Sequence, residues 1–278
     1  MIRGTTRLIA HLGHPIEAVR SPMIYNPFFE HRGIDAAVVP MGVPADDYES
    51  VLRAVFRLTN IAGALVTMPH KKATVTLLDD CSEAVRVSGS CNAVLRRADG
   101  SLFGDVFDGA GFVRGLQRKG FDCARSSCLV VGCGGVGSAI AAALAHAGVG
   151  AITLYDLDTT ASGDLKAQLK AHYPAVAAEI GPPKARGFDL AVNATPLGMR
   201  SDDALPMDLD DVGVSTLVGE VVMAQDITPL LRVARTKGCA IQVGTDMLFE
   251  QIPLYLEFFG LGSAEPQELR ALARLGQA

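Results

Sequence analysis

Apolar and polar positions change period repeatedly along the chain, and the changes mark alternating strands and helices. From Ser126 an apolar run, Cys128-Leu129-Val130-Val131, predicts a strand. A glycine turn follows, then an Ala-rich helix from Ser138 to Ala147, Gly148 as its stop, and a second strand, Ile152-Thr153-Leu154-Tyr155. A polar helical stretch from Thr160 to Tyr173 leads through Pro182-Pro183 to a strand from Phe188 to Val192. Thr216-Leu217-Val218 and Ala240 to Val243 predict further buried strands, with a helix from Pro229 to Lys237 between them. Strands alternating with helices imply a parallel sheet covered on both faces, so the fold class is α/β, here a doubly wound sheet.

The N-terminal part alternates in the same way: strand Leu8 to Leu12, helix Pro22 to His31, strand Ala36 to Val39, helix Ala45 to Arg57, strand Gly63 to Thr67. This predicts a second α/β domain. Cys91 to Arg97 and Ser101 to Phe103 read as a hairpin turned by Asp99-Gly100. A helix starting near Asp108 carries the chain between domains, and the C-terminal stretch is helical and amphipathic, able to pack on either domain.

A chain of 278 residues is long enough for two modest cores. It is 49% hydrophobic and 20% charged with a net charge of -5, which gives no pull toward nucleic acid. The six cysteines form no CxxC pair and have no His cluster beside them, so reduced thiols are expected, with neither disulfides nor a metal site. Residues 1–7 lack the apolar core of a signal peptide, and a cytoplasmic protein is expected. Residues 126–155 contain no Asp, Glu, Lys or Arg, but six glycines interrupt the run where turns belong, so no membrane span is expected. Monomer and homodimer are both open, and the expected partner is a small molecule.

Gly132, Gly134 and Gly137 form GxGxxG directly after one strand and before a helix. In such a turn the first glycine makes the bend, the second lets a pyrophosphate approach bare backbone, and the third lets helix and strand pack closely. The helix N-terminus then offers unpaired N–H groups to the phosphates. Asp156 ends the next strand 24 positions after Gly132, near the spacing of the acidic residue that binds a ribose 2′-hydroxyl. Asp156 is equally a natural helix N-cap or turn residue. Leu157-Asp158 follows, with no Arg or Lys for a 2′-phosphate, so NAD is expected over NADP.

Together the motifs resemble the shikimate and quinate dehydrogenase family across nearly the whole chain. Val19-Arg20-Ser21-Pro22 aligns with the family's Ser-x-Ser-Pro, and Leu65-Val66-Thr67-Met68-Pro69-His70-Lys71 with Asn-Val-Thr-x-Pro-x-Lys. Cys91-Asn92-Ala93 aligns with Val-Asn-Thr, and Gly104-Asp105-Val106-Phe107-Asp108-Gly109 with Gly-Asp-Asn-Thr-Asp-Gly. Asn193 to Met199 keeps Asn-Ala-Thr-Pro-x-Gly-Met, and Gly244, Met247, Leu248 and Gln251 keep Gly-x-x-Met-Leu-x-x-Gln.

The resemblance implies a substrate domain, residues 1–107 completed by 244–278, and a Rossmann-type NAD domain, 108–243, with a cleft in which hydride passes between nicotinamide and a ring carbinol. It makes Lys71 and Asp108 the catalytic pair and Ser21, Thr67, Asn92 and Gln251 the substrate-binding residues. The cofactor set becomes Gly132, Gly134, Gly135, Val136, Gly137, Asp156, Leu157, Thr195, Val221 and Gly244. Alcohol oxidation needs a base at the hydroxyl, which suits this pair. Read singly, Lys71-Lys72 is also a solvated helix start, Ser21 and Asp108 are plausible N-caps, and His70 is a candidate for lining the cleft beside Lys71.

The departures remove polar groups: Val19 replaces the first serine of the carboxylate-binding pair, Leu65 an asparagine, Val106-Phe107 an Asn-Thr, and Met223 a tyrosine. An unpartnered ligand oxygen costs about 1–3 kcal/mol. Expected substrates are therefore shikimate or quinate bound weakly, or a less hydroxylated cyclic acid. Arg20 is placed to grip a carboxylate or to face solvent. Two alternatives stay open: a dehydrogenase of the same fold without shikimate activity, and a catalytically decayed NAD-binding sensor.

Overall fold

Strands with continuous apolar runs are buried on both faces, and each sheet here is built around them. The computed structural model describes residues 2–17 and 19–275; Met1 of the N-terminal segment and the last three residues of the C-terminal helical stretch lie outside the described residues. The chain divides into two compact units, Met1–Phe107 with Ile252–Ala278, and Asp108–Gln251.

The first unit contains β1 (Arg7–Gly13), α1 (Pro22–Arg32), β2 (Ala36–Gly42), α2 (Tyr48–Val55), β3 (Ile61–Val66), α3 (Lys71–Val75), β4 (Asp80–Cys81), α4 (Glu83–Ser88), β5 (Ala93–Arg96) and β6 (Leu102–Asp105). Its sheet has the order β2-β1-β3-β5-β6-β4. β2, β1 and β3 are parallel, and β5 and β6 form the expected antiparallel hairpin. Gly33, in the left-handed region at φ 65°, ends α1 with its N–H on the Glu30 and Phe29 carbonyls. The expected helix over 45–57 is shorter, a 3-10 turn at Ala45–Asp47 leading into α2.

The second unit contains α5 (Asp108–Arg118), β7 (Ser127–Val131), α6 (Gly135–His146), β8 (Ala151–Tyr155), α7 (Thr159–His172), β9 (Ala177–Ile180), β10 (Leu190–Asn193), β11 (Leu217–Glu220), α8 (Pro229–Thr236), β12 (Ala240–Gln242) and the first part of α9 (Gly244–Phe258). Every pairing in its sheet, ordered β12-β11-β10-β7-β8-β9, is parallel. The order reverses between β7 and β10, which opens a crevice at the carboxyl ends of those strands. The uncharged run 126–155 is β7, α6 and β8, and no helix among the described residues is long and apolar enough to cross a membrane.

The chain returns to the first unit at Ile252, within α9, rather than at Gly244. Beyond it α10 (Pro266–Leu272) packs on α1, where Arg32 meets Glu268 at 2.6 Å. The helix after the glycine turn starts at Gly135, not Ser138, because the turn residues already take helical geometry.

Candidate functional site

In the second unit the glycine turn is shaped by contacts that leave no room for side chains. Gly132 has φ 100°, and a Cβ there would stand 2.8 Å from the Ala194 carbonyl carbon and 3.0 Å from Thr195 Cγ2. A Cβ on Gly137 would overlap the Gly132 carbonyl oxygen. Gly134 differs: a Cβ there would meet nothing within 4 Å, and the residue is exposed. Gly134 is also the N-cap of α6 and provides no side-chain cap, so the first N–H groups of the helix, on Gly135, Val136 and Gly137, receive no side-chain acceptor from it. This arrangement fits a dinucleotide pyrophosphate.

Asp156 follows β8. Its Oδ2 accepts the Cys133 N–H at 2.6 Å and its Oδ1 accepts the Asp158 N–H at 2.9 Å. Capping of α7 belongs to Asp158, whose Oδ1 accepts from Thr160 and Ala161. Asp156 is thus tied to the glycine turn rather than to the helix, and Leu157 beside it is 88% exposed.

At the ends of β10 and β11 the other expected cofactor residues come together in two groups. Asn193 organises the first: its Oδ1 accepts from Thr195 N–H at 3.0 Å and Thr195 Oγ1 at 2.7 Å, and its Nδ2 donates to the Leu197 carbonyl at 2.9 Å. In the second, a Cβ on Gly244 would run into the Val222 carbonyl oxygen, which presses the start of α9 against Val221-Val222.

Asp108 is buried at the first turn of α5. The next residue, Gly109, lies so close to the Ala139 carbonyl that a Cβ would overlap it, and a Cβ on Gly111 would sit 2.7 Å from Gln251 Cβ. These glycines lock α5 against α6 and α9, fixing Asp108 and Gln251 relative to the glycine turn. Gln251 Oε1 is buried without a hydrogen-bond partner among the described residues.

In the first unit Lys71 opens α3, after the turn that β3 feeds, and its carbonyl accepts the Cys91 N–H at 2.9 Å. Thr67 lies against Gly13, where a Cβ would collide with Thr67 Cγ2. Asn92 Oδ1 accepts the Phe107 N–H at 3.0 Å, while its Nδ2 is buried with no partner among the described residues. Ser21 does not cap α1; its Oγ lies 2.5 Å from His11 Nδ1.

His70 corrects an expectation. It is buried inside the unit, stacks on Tyr48 at 4.0 Å between ring centres, and places Nε2 2.8 Å from the Val43 carbonyl. It therefore fastens α3 to the turn after β2 rather than lining an open surface. Phe107 likewise faces inward, edge-on to Tyr255 at 4.9 Å and to Phe258 at 5.5 Å, and Val106 and Leu65 are buried too. Val19 and Met223 keep partial exposure, and Arg20 is exposed.

Two residues were missed by sequence reasoning. His11 is half-buried on β1, and nothing in the sequence marks it out from the apolar run around it. Glu220, at the end of β11, is fully buried; burial pushes its carboxyl up to about 7, with Thr228 and Asn193 opposing. All six cysteines are free thiols, and burial pushes Cys91 and Cys128 up to about 12, which leaves them unreactive.

The family model for the shikimate dehydrogenase substrate binding domain matches residues 12–94, and the ThiF family model matches residues 117–197. The shikimate dehydrogenase (NADP(+)) of Rhodospirillum rubrum is 34% identical over 278 residues, covering 98% of this chain and 98% of that protein. The chain belongs to the shikimate dehydrogenase family. As a shikimate dehydrogenase family member it is a hydride-transferring oxidoreductase that uses a nicotinamide dinucleotide.

Solved structures similar to this family member include quinate dehydrogenase from Corynebacterium glutamicum in complex with NAD, 28% identical with a TM-score of 0.84, covering 96% of this chain and 98% of that one. The ligand-free 5-ketofructose reductase of Gluconobacter sp. strain CHM43 is 25% identical with a TM-score of 0.87, covering 97% of this chain and 98% of that one.

Proposed function

We propose that the protein is an NAD-dependent dehydrogenase acting on the ring carbinol of a cyclic hydroxy acid: shikimate, quinate or a less hydroxylated relative. The observation that carries this reading is Asp156, held under the glycine turn by the Cys133 N–H, with exposed Leu157 next to it in place of a basic residue. A carboxylate there accepts from ribose hydroxyls and repels a 2′-phosphate. The NADP(+) in the name of the Rhodospirillum protein belongs to that protein, and the Corynebacterium quinate dehydrogenase, by its NAD complex, shows the other cofactor on the same fold.

The N-terminal turn of α6, from Gly134 to Gly137, would hold the pyrophosphate, and Thr195, Val221 and Gly244 the nicotinamide end. The bound nicotinamide supplies the hydride acceptor or donor. Lys71 takes the hydroxyl proton as hydride leaves and returns it in the reverse direction. Asp108 orients Lys71 and the hydroxyl for this transfer. Asn92 Nδ2 and Gln251 Oε1, one donor and one acceptor buried without protein partners, suit ring hydroxyls, since such atoms are rarely left unpaired. Thr67 and Ser21 add hydroxyl contacts.

A second reading, the same chemistry on another small alcohol or ketone, is favoured by the apolar residues at 19 and 223, which keep partial exposure, and by the likeness to a 5-ketofructose reductase. Steady-state kinetics with NAD and NADP, each against shikimate, quinate and a panel of cyclic and open-chain polyols, test both. The first reading expects the highest kcat/KM for NAD with a cyclic acid. The second expects turnover only of substrates without the carboxylate.

A further inference from the structure

His11, Leu65 and Ala93 stand in register across β1, β3 and β5, so their side chains share one face of the sheet. Leu65 occupies a position where the family places an asparagine, and Val19 one where it places a serine. An imidazole on the neighbouring strand thus stands beside the β3 position that lacks the family's polar group. That ring is partly accessible, and its Nδ1 lies 2.5 Å from Ser21 Oγ, the serine that remains of the pair.

A serine hydroxyl has one proton to give. Ser21 Oγ accepts no N–H from α1, which lacks a side-chain cap, and among the described residues His11 is its side-chain partner. If the imidazole donates, the Ser21 proton is left for a ligand. Burial and, secondarily, the nearby Lys71 charge pull His11 down to about 4, so the ring stays neutral at physiological pH and keeps one N–H and one bare nitrogen. Its Nε2 has no hydrogen-bond partner among the described residues.

We propose that His11 is a positioning and specificity-determining residue: its Nδ1–H donates to Ser21 Oγ and thereby aims the Ser21 hydroxyl proton at the substrate carboxylate. One pre-oriented donor takes the place of the two serines of the family pattern. The inference deepens the cyclic-acid reading above and rests on it for the identity of the ligand, but not for the tautomer. His11 then selects acids over neutral alcohols through Ser21, without touching the reacting carbinol.

Nitrogen-15 NMR of the imidazole in the full-length protein reads the tautomer without any substrate. Protonated Nδ1 and bare Nε2 are expected; the reverse tautomer overturns the proposal even if the enzyme turns over cyclic acids. Kinetics on whichever acid the wild type uses provide the second arm. His11→Val should raise KM about tenfold with kcat changed less than twofold, and His11→Asn, which keeps a donor, should recover most of the loss. In a Ser21→Ala background His11→Val should add less than twofold, because the partner is already gone. Full additivity, or an unchanged KM in His11→Val, overturns the proposal. NADH affinity and melting temperature serve as folding controls and should not move in any of these variants. A wild type that turns over only neutral polyols, with the Nδ1–H tautomer present, refutes the cyclic-acid reading and the carboxylate role while leaving the His11–Ser21 geometry in place.

Discussion

Asp156 Oδ2 accepts the Cys133 N–H at 2.6 Å, so the residue proposed to select the ribose also braces the glycine turn. Asp156→Ala should therefore weaken NADH binding at least tenfold, from the loss of both a charge-assisted hydrogen bond and the turn geometry. Asp156→Ser combined with Leu157→Arg should move preference toward NADPH, because the repulsion is gone and a guanidinium is gained. Fluorescence titration of both reduced cofactors checks this. A wild type that already prefers NADPH contradicts it.

Gly134 and Gly137 lie in one turn yet should fail in different ways. In Gly137→Ala the new methyl meets the Gly132 carbonyl, which is backbone and cannot swing aside, so a loss of about 1–3 kcal/mol in stability is expected. In Gly134→Ala the methyl enters open space, so the melting temperature should hold while NADH affinity falls. Unchanged NADH affinity in Gly134→Ala would mean that the pyrophosphate does not approach this backbone.

Lys71→Ala should lower kcat by about 10²–10⁴-fold with KM nearly unchanged, the pattern of a group that acts on the proton in flight. An unchanged kcat would remove Lys71 from the proton path. Stopped-flow measurement of NADH formation separates this step from product release.

Glu220 should give the fold a pH-dependent weakness. Its carboxyl sits at about 7 in the folded protein against 4.5 for an ordinary glutamate, so the folded state holds an extra proton between those values. Stability then falls as pH rises through that window, by about 3 kcal/mol at full effect. Glu220→Gln, a neutral near-isostere, should remove this slope. Urea unfolding at pH 5 and pH 8 measures it: the wild type should lose stability relative to Glu220→Gln at pH 8, and a constant difference between the two would contradict the assignment.

The Rossmann-type sheet was legible because its strands are uninterrupted apolar runs and its turn carries three glycines at fixed spacing. β9 escaped notice because Ala177-Ala178-Glu179-Ile180 is an edge strand with one buried position and little pattern to read. The short α3, β4 and α4 were missed because their positions are set by tertiary contacts, such as His70 against Tyr48 and Val43, rather than by periodicity. Of the departures from the family pattern, Phe107 and Val106 looked like altered ligand contacts and are core residues. Sequence spacing cannot say which way a side chain turns after a strand ends. His11 was invisible for the complementary reason, since strand register alone pairs it with Leu65.

The most direct test of the dehydrogenase assignment follows NADH absorbance while NAD is offered with shikimate, quinate and a panel of cyclic hydroxy acids. The account predicts NADH formation with at least one cyclic acid, a higher kcat/KM for NAD than for NADP, and loss of the rate in Lys71→Ala. Tight NAD binding without turnover of any acid or alcohol offered would contradict it and identify the chain as a dinucleotide-binding sensor.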